Sequence, residues 1–227
     1  KKTMTLSIIS ILLGMLIFST ENLYSQVYQL PNPGFENWPG ANTTLPTNWH
    51  SFPDGNCTLT SSLCNTAMTR RHERSTDIRP GSQGQYSCKI FATETKILFV
   101  SVIANGTLTT GQINLASTTT SSTSNNNQTK RGTDYCQPFN AMPDSIVFWA
   151  KCTNSNASHE ACCHLYIHDD EINLADPLGA NSSGYQSHIV GGVPAYNFTK
   201  GDGNWRRHST PIIYEDYSNT NPQYILI

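Results

Sequence analysis

The sequence predicts an all-β sandwich, and three observations carry that expectation. Beyond residue 25 no stretch keeps the i, i+3, i+4 apolar spacing of an amphipathic helix. Short runs rich in β-branched and aromatic residues instead alternate with Gly, Pro and Asn clusters. Ser, Thr and Asn are abundant and charged residues make up only 13% of the chain, a balance suited to the strands and turns of an extracellular β protein. Seven cysteines, at 57, 64, 88, 136, 152, 162 and 163, fit an oxidising compartment where disulfides persist. The net charge of -2 argues against nucleic acid and anionic membrane as partners.

The elements follow in chain order. Lys1 and Lys2 precede an almost unbroken apolar run over 6–18. A bilayer span needs roughly 20 apolar residues, so residues 1–25 read as a secretory signal peptide, with cleavage after Ser25 and Ser19 or Thr20 as weaker sites. No cysteine follows the run to anchor a lipid. The protein is therefore expected to be secreted or at the cell surface, with no transmembrane segment after cleavage. Residues 26–227 read as a single β domain, large enough for a sizeable core.

Its opening, L-P-N-P-G-F-E-N-W at 30–38, predicts a first strand. Gly34 permits a close approach, Phe35 faces a core and Glu36 the other side. Further strands are expected over 86–92, 145–152, 162–168, 187–190, 210–214 and 224–227, and a surface loop over the Ser/Thr/Asn-rich residues 115–131. The chain stops within the apolar run 224–227. An unpaired apolar edge is a liability, so a closing strand is expected to follow in the native protein.

Cys152 and either Cys162 or Cys163 flank what reads as a hairpin loop, which makes them the first choice of disulfide, with Cys57 and Cys64 the second. An odd cysteine count leaves at least one thiol unpaired within the chain. No C-x-x-C pair marks a zinc ribbon or a thioredoxin-type site.

Several blocks then fall in one order: N-P-G-F-E-N-W at 32–38, L-P-T-N-W-H-S-F at 45–52, R-P-G-S-Q-G at 79–84 and A-N-G-T-L-T-T-G-Q-I at 104–113. F-N-A-M-P-D-S-I-V-F-W-A-K-C at 139–152 and N-W-R-R-H-S-T-P at 204–211 complete the series. The series resembles the carbohydrate-metabolism (PCMD) domain family of Bacteroidetes secreted proteins. That resemblance implies a β-jelly-roll similar to carbohydrate-binding modules and the galactose-binding-like fold, carried within a larger protein. It also implies that Glu36 serves a structural calcium, its acidic partner lying on the strand expected after Ile227.

Sugars are recognised by aromatic rings stacked on the pyranose, with amides, carboxylates and Arg reading the hydroxyls. Trp38, Trp49, Trp149, Trp205, Tyr185 and Tyr196 are the available rings, and Trp38 and Trp149 read first as core. Trp205 lies in the loop-like G-D-G-N-W-R-R at 201–207, where Asp202, Asn204 and Arg206 can bind hydroxyls. Along 162–168, Cys163, Leu165 and Ile167 read as a core row, while His164, Tyr166 and His168 face either a concave groove or solvent. His164 and His168 are about 13 Å apart along a strand, too far to share a metal ion.

A glycoside hydrolase needs two carboxyls, about 5–5.5 Å apart for retention or about 6.5–9.5 Å for inversion. Asp169 and Glu36 are the candidates, with Asp170, Glu171 and Asp176 near the first, although D-D-E at 169–171 reads more as a solvated turn or calcium loop. No E-x-D-x-x-E, G-x-S-x-G, H-E-x-x-H, P-loop or dinucleotide fingerprint is present. The expected function is binding of a poly- or oligosaccharide by a module of a larger surface or exported protein in polysaccharide use. A glycoside hydrolase and a non-sugar adhesive or structural sandwich are the alternatives.

Overall fold

The computed structural model describes residues 28–40, 44–97, 100–153, 160–178, 182–198 and 201–227. The expected leader, 1–25, lies outside them. The described chain is mostly β. A 3-10 turn at Phe52–Asp54 precedes β1 (Asn56–Cys57), α1 (Ser61–Ala67), β2 (His72–Ser75), β3 (Ser87–Ile90), β4 (Thr93–Ile97) and β5 (Val100–Ala104). Then come β6 (Gln112–Leu115), β7 (Asn126–Gln128), β8 (Gln137–Pro138), β9 (Ser145–Lys151) and β10 (Cys162–His168). The chain continues through β11 (Ala175–Asp176), α2 (Ser182–Gln186), β12 (Ile189–Asn197), β13 (Trp205–Pro211) and β14 (Tyr224–Leu226). One four-stranded sheet runs β12-β10-β14-β8 and another β1-β6-β7-β11, while β13-β9, β2-β3 and β4-β5 form separate two-stranded ribbons.

The core is built around β10. Leu165 and Ile167 on one face pack with Val190, Val193, Ile212 and Ile225. On the other face Tyr166 packs with Leu174, Ile189 and Leu226. Hydrogen bonds to β12 and β14 on either edge satisfy the backbone, so apolar side chains can be buried on both faces. Two glycines in β12 make the fit possible. A Cβ at Gly191 would sit 2.5 Å from the Tyr214 ring, and one at Gly192 2.8 Å from the Tyr166 ring. Both rings lie directly on the strand backbone.

Several expectations need correction here. The opening segment is a turn rather than a strand. Asn32 and Phe35 take φ of 49° and 57°. The Asn32 side chain pins the turn, accepting from the Asn37 N–H at 3.0 Å and donating to the Asn37 and Thr47 carbonyls at 3.0 and 3.1 Å. Phe35 still finds apolar company, 5.3 Å from the buried Trp49 ring. Residues 126–128, expected within a loop, are strand β7 because backbone pairing with β6 and β11 suits Asn and Gln as well as apolar residues. Residues 205–207, expected in a loop, begin β13.

The disulfide joins Cys57 to Cys64. Cys152, Cys162 and Cys163 are free, against the first expectation, because the presumed hairpin does not exist. Among the described residues β9 pairs only with β13, while β10 pairs with β12 and β14. The Cys152 thiol instead donates to the Phe198 carbonyl. β14 lies between β10 and β8 and is paired on both edges. No helix among the described residues is long and apolar enough to cross a membrane.

Candidate functional site

The β9–β13 ribbon carries the site. Its register pairs Trp205 with Lys151, Arg207 with Trp149 and Ser209 with Val147. Directly opposed residues share a face, so Val147, Trp149, Lys151, Trp205 and Arg207 project together. That face is wet: Val147 is 45% and Trp149 40% exposed, Lys151 and Arg207 are exposed and Trp205 is half-buried. The indoles stand on diagonal positions, a spacing of about 7–8 Å between backbones in an antiparallel pair.

The reverse face explains why the ribbon holds its shape. Phe148, Tyr196, Phe198 and His208 form an aromatic cluster, with His208 stacked on Phe148 at 5.3 Å and Phe198 edge-on to Phe148 at 5.0 Å. Tyr196 Oη lies 3.3 Å from His208 Nδ1. Partial burial, then the nearby Arg206 charge, lowers the His208 pKa below the usual imidazole value. The outer face therefore rests on a packed aromatic layer.

Polar groups frame the indoles. Asp77, in the segment after β2, accepts the Trp205 indole N–H at 2.9 Å on one oxygen and the Lys151 ammonium on the other. Those two bonds, Lys151 first, hold the Asp77 carboxyl below the usual range. The Arg79 guanidinium lies 5.3 Å from the Trp149 ring centroid. Lys151, Arg79, Arg207 and the carboxylate of Asp77 thus surround two aromatic rings within reach of solvent.

The other expected site residues fall elsewhere. Asp202 is paired with Arg206 and accepts the Asn204 backbone N–H at 3.1 Å, and the Arg206 contact takes its carboxyl down to about 2. These three close the turn leading into β13 and leave the stacking role to the ribbon. Trp38 is half-buried and donates its indole N–H to the Phe35 carbonyl at 2.5 Å. Tyr185 packs against the inner core.

The row His164, Tyr166, His168 does not form an open groove. Tyr166 is 5% exposed and His168 fully buried. The Asp169 carbonyl 2.7 Å from His168 Nδ1 must receive a proton from it, so Nε2 accepts the Thr129 hydroxyl at 2.8 Å. Burial lowers the His168 pKa to about 4 and fixes the neutral ring.

The carboxylate candidates are engaged. Asp169 is 4% exposed and accepts the Glu171 backbone N–H at 3.0 Å and the Asn219 amide at 2.7 Å, with His188 Nδ1 at 2.9 Å. It ties three segments together. Asp169, Glu171 and His188 are the described group with atoms close enough to hold a cation. Glu36, exposed at the opening turn, accepts backbone N–H bonds from Gln85 at 3.0 Å and Tyr86 at 3.1 Å, anchoring the 82–86 segment. A cavity of about 500 Å³ opens elsewhere, beside Pro31, His50, Asp134 and Pro138. Its His50 ring is held between Asp54 Oδ2 at 2.6 Å and the Asp134 carbonyl at 3.0 Å.

Asp77, Arg79, Lys151 and Arg207 are the candidate-site residues that sequence reasoning missed, while Trp149, counted among the available rings but read first as core, faces solvent instead. For Trp149 and Lys151 the signal was present. In I-V-F-W-A-K, Lys151 occupies the same alternate row as Trp149 and marks that row as the wet one. Asp77 and Arg79 come from a distant loop and had no such signal. Compared with protein-family models, with curated proteins and with solved structures, the chain matches none.

Proposed function

We propose that this protein is an exported glycan-binding module of jelly-roll type, and that the outer face of the β9–β13 ribbon is its sugar platform. The single observation that carries the reading is the pair Trp149 and Trp205, on one solvent-facing side and framed by Lys151, Arg207, Arg79 and Asp77. Flat indoles on adjoining strands suit consecutive pyranose rings of a chain, while the framing charges suit their hydroxyls. The resemblance of the sequence blocks to the carbohydrate-metabolism domain family supports the same reading, and the Cys57–Cys64 bridge suits the compartment it needs. The ligand is a poly- or oligosaccharide, and no catalytic step is assigned to the protein.

Binding to a panel of soluble plant and microbial polysaccharides by affinity gel electrophoresis, followed by calorimetry on the best ligand, tests the proposal. Trp149→Ala and Trp205→Ala are each expected to lose about thirtyfold in affinity, which is about 2 kcal/mol at a stacking hot spot. Wild-type affinity in both variants, or no retardation by any polysaccharide, rejects it. Release of reducing ends from a bound ligand would favour the hydrolase alternative.

A further inference from the structure

The indole face of the β9–β13 ribbon carries positive charge that its neighbours do not balance. Lys151, Arg79 and Arg207 stand around the two rings, against the carboxylate of Asp77. Both Asp77 oxygens are taken, one by the Lys151 ammonium and the other by the Trp205 indole N–H. Lys151 and Asp77 therefore cancel, and the charges of Arg79 and Arg207 are left over. Among the described residues neither guanidinium has a carboxylate within ion-pair distance. The whole chain carries a net charge of -2, so the positive excess is local to this face.

Both guanidiniums belong to the surroundings of Trp149. Arg207 is directly opposite it on β13, where facing side chains stand about 4.5–5.5 Å apart at Cβ. The Arg79 guanidinium lies 5.3 Å from the ring centroid, on a turn specified by R-P-G-S at 79–82. Pro80 suits the first central position of that turn, and Gly81 supplies the φ of 74° that the second requires. The Ser82 N–H closes the turn on the Arg79 carbonyl at 3.1 Å. Just beyond, Glu36 accepts the backbone N–H groups of Gln85 and Tyr86. The arm that carries Arg79 is thus tied down before any ligand arrives.

We infer that this face selects acidic polysaccharides, with uronic acid rings stacked on Trp149 and their carboxylates paired to Arg79 and Arg207. The selection presupposes the sugar platform of Trp149 and Trp205 and narrows its ligand to one class. A neutral sugar offers only hydroxyls to two charges that lack a counter-ion. A uronosyl ring offers the same stacking face and, at its rim, a carboxylate that a planar guanidinium grips with two parallel N–H bonds. Arginine suits both tasks, since its flat face rests on an indole while its edge N–H groups stay available.

The test measures binding of the intact chain to polygalacturonate and alginate at neutral pH without calcium, by affinity gel electrophoresis and calorimetry. Each polymer is compared with its carboxyl-reduced counterpart, which keeps the backbone and lacks the charge, and with a sulfated galactan. At least one polyuronide is expected to bind about tenfold or more tightly than its reduced form. Its affinity is expected to fall about fivefold between about 50 and 500 mM salt. Arg79→Gln and Arg207→Gln are each expected to lose about tenfold for that polyuronide, with unchanged circular dichroism. Lys96→Gln, which removes an exposed cation on the separate β4–β5 ribbon, is expected to bind as the wild type does. Equal affinity for acid and reduced polymer, or wild-type affinity in both arginine variants, overturns the charge selection. If Trp149→Ala still loses binding in that case, the platform itself stands. Tighter binding of the sulfated galactan than of either polyuronide overturns the assignment to carboxylates. Binding to no polysaccharide at all rejects platform and selection together.

Discussion

The β10-centred sheet and the β9–β13 ribbon are built from similar alternating strands, yet water treats them differently. C-C-H-L-Y-I-H at 162–168 and S-I-V-F-W-A-K at 145–151 each place aromatic and apolar residues in two interleaved rows. In β10 both rows are enclosed for most of the strand, since β12 and β14 flank it and separate clusters cover its two faces. In β9 only the Phe148 row is covered, by Tyr196, Phe198 and His208, and the Trp149 row faces solvent. Alternation tells which residues share a side. Which side is wet depends on what the rest of the chain brings against it.

Substitutions at the two strands sharpen that contrast, and the largest effect belongs to β10. Ile167 has no exposed surface. Ile167→Ala is expected to cost about 2–5 kcal/mol in chemical denaturation, through lost burial and the cavity left behind. A cost below about 1 kcal/mol would mean that the core around β10 is looser than its packing indicates.

The buried His168 makes the same region sensitive to acid. Its folded pKa of about 4 lies below the unfolded value near 6.5, so the unfolded chain binds more protons between the two. Stability from this group is complete above about pH 6.5 and falls as pH drops toward 4, by on the order of 3 kcal/mol. Thermal melts across that window are expected to show the decline, and His168→Gln to flatten it. His164 has the opposite sign. Asp176, then Cys162, raises its pKa to about 10, so its contribution is present below pH 6.5 and lost only as pH climbs through 10.

On the ribbon, truncation is expected to leave folding nearly intact while removing the binding surface. Trp149→Ala should shift stability by about 1 kcal/mol or less, because much of the ring is already exposed and the main loss is its contact with Arg79. A melting-temperature drop as large as that of Ile167→Ala would return Trp149 to the core and remove half of the proposed platform. The smallest effect belongs to Lys151→Ala, which removes a partly exposed ion pair with Asp77. About 0–1 kcal/mol is expected, diminishing further in high salt.

Where local chemistry dominates, the sequence alone determined the outcome. A chain without helical periodicity and with frequent Gly, Pro and Asn breaks had to be mainly β, and its apolar run at 162–168 matches β10 residue for residue. Cys57 and Cys64, close in sequence, were legible as a bridge. The short helix α1 and the polar strands β2 and β7 were not legible, since H-E-R-S and N-N-Q carry no apolar rhythm and are held by backbone pairing that any residue can make.

Tertiary structure alone decided the partners and the wet faces. It set β9 against β13 rather than β10, leaving Cys152 without its expected mate and the two tryptophans side by side. It also carried Asp77 to the Trp205 indole across 128 residues of chain. Strand pairing joins segments distant in sequence, and burial follows from the sum of those pairings. Local pattern therefore fixes the rows, and long-range contact fixes which row meets water.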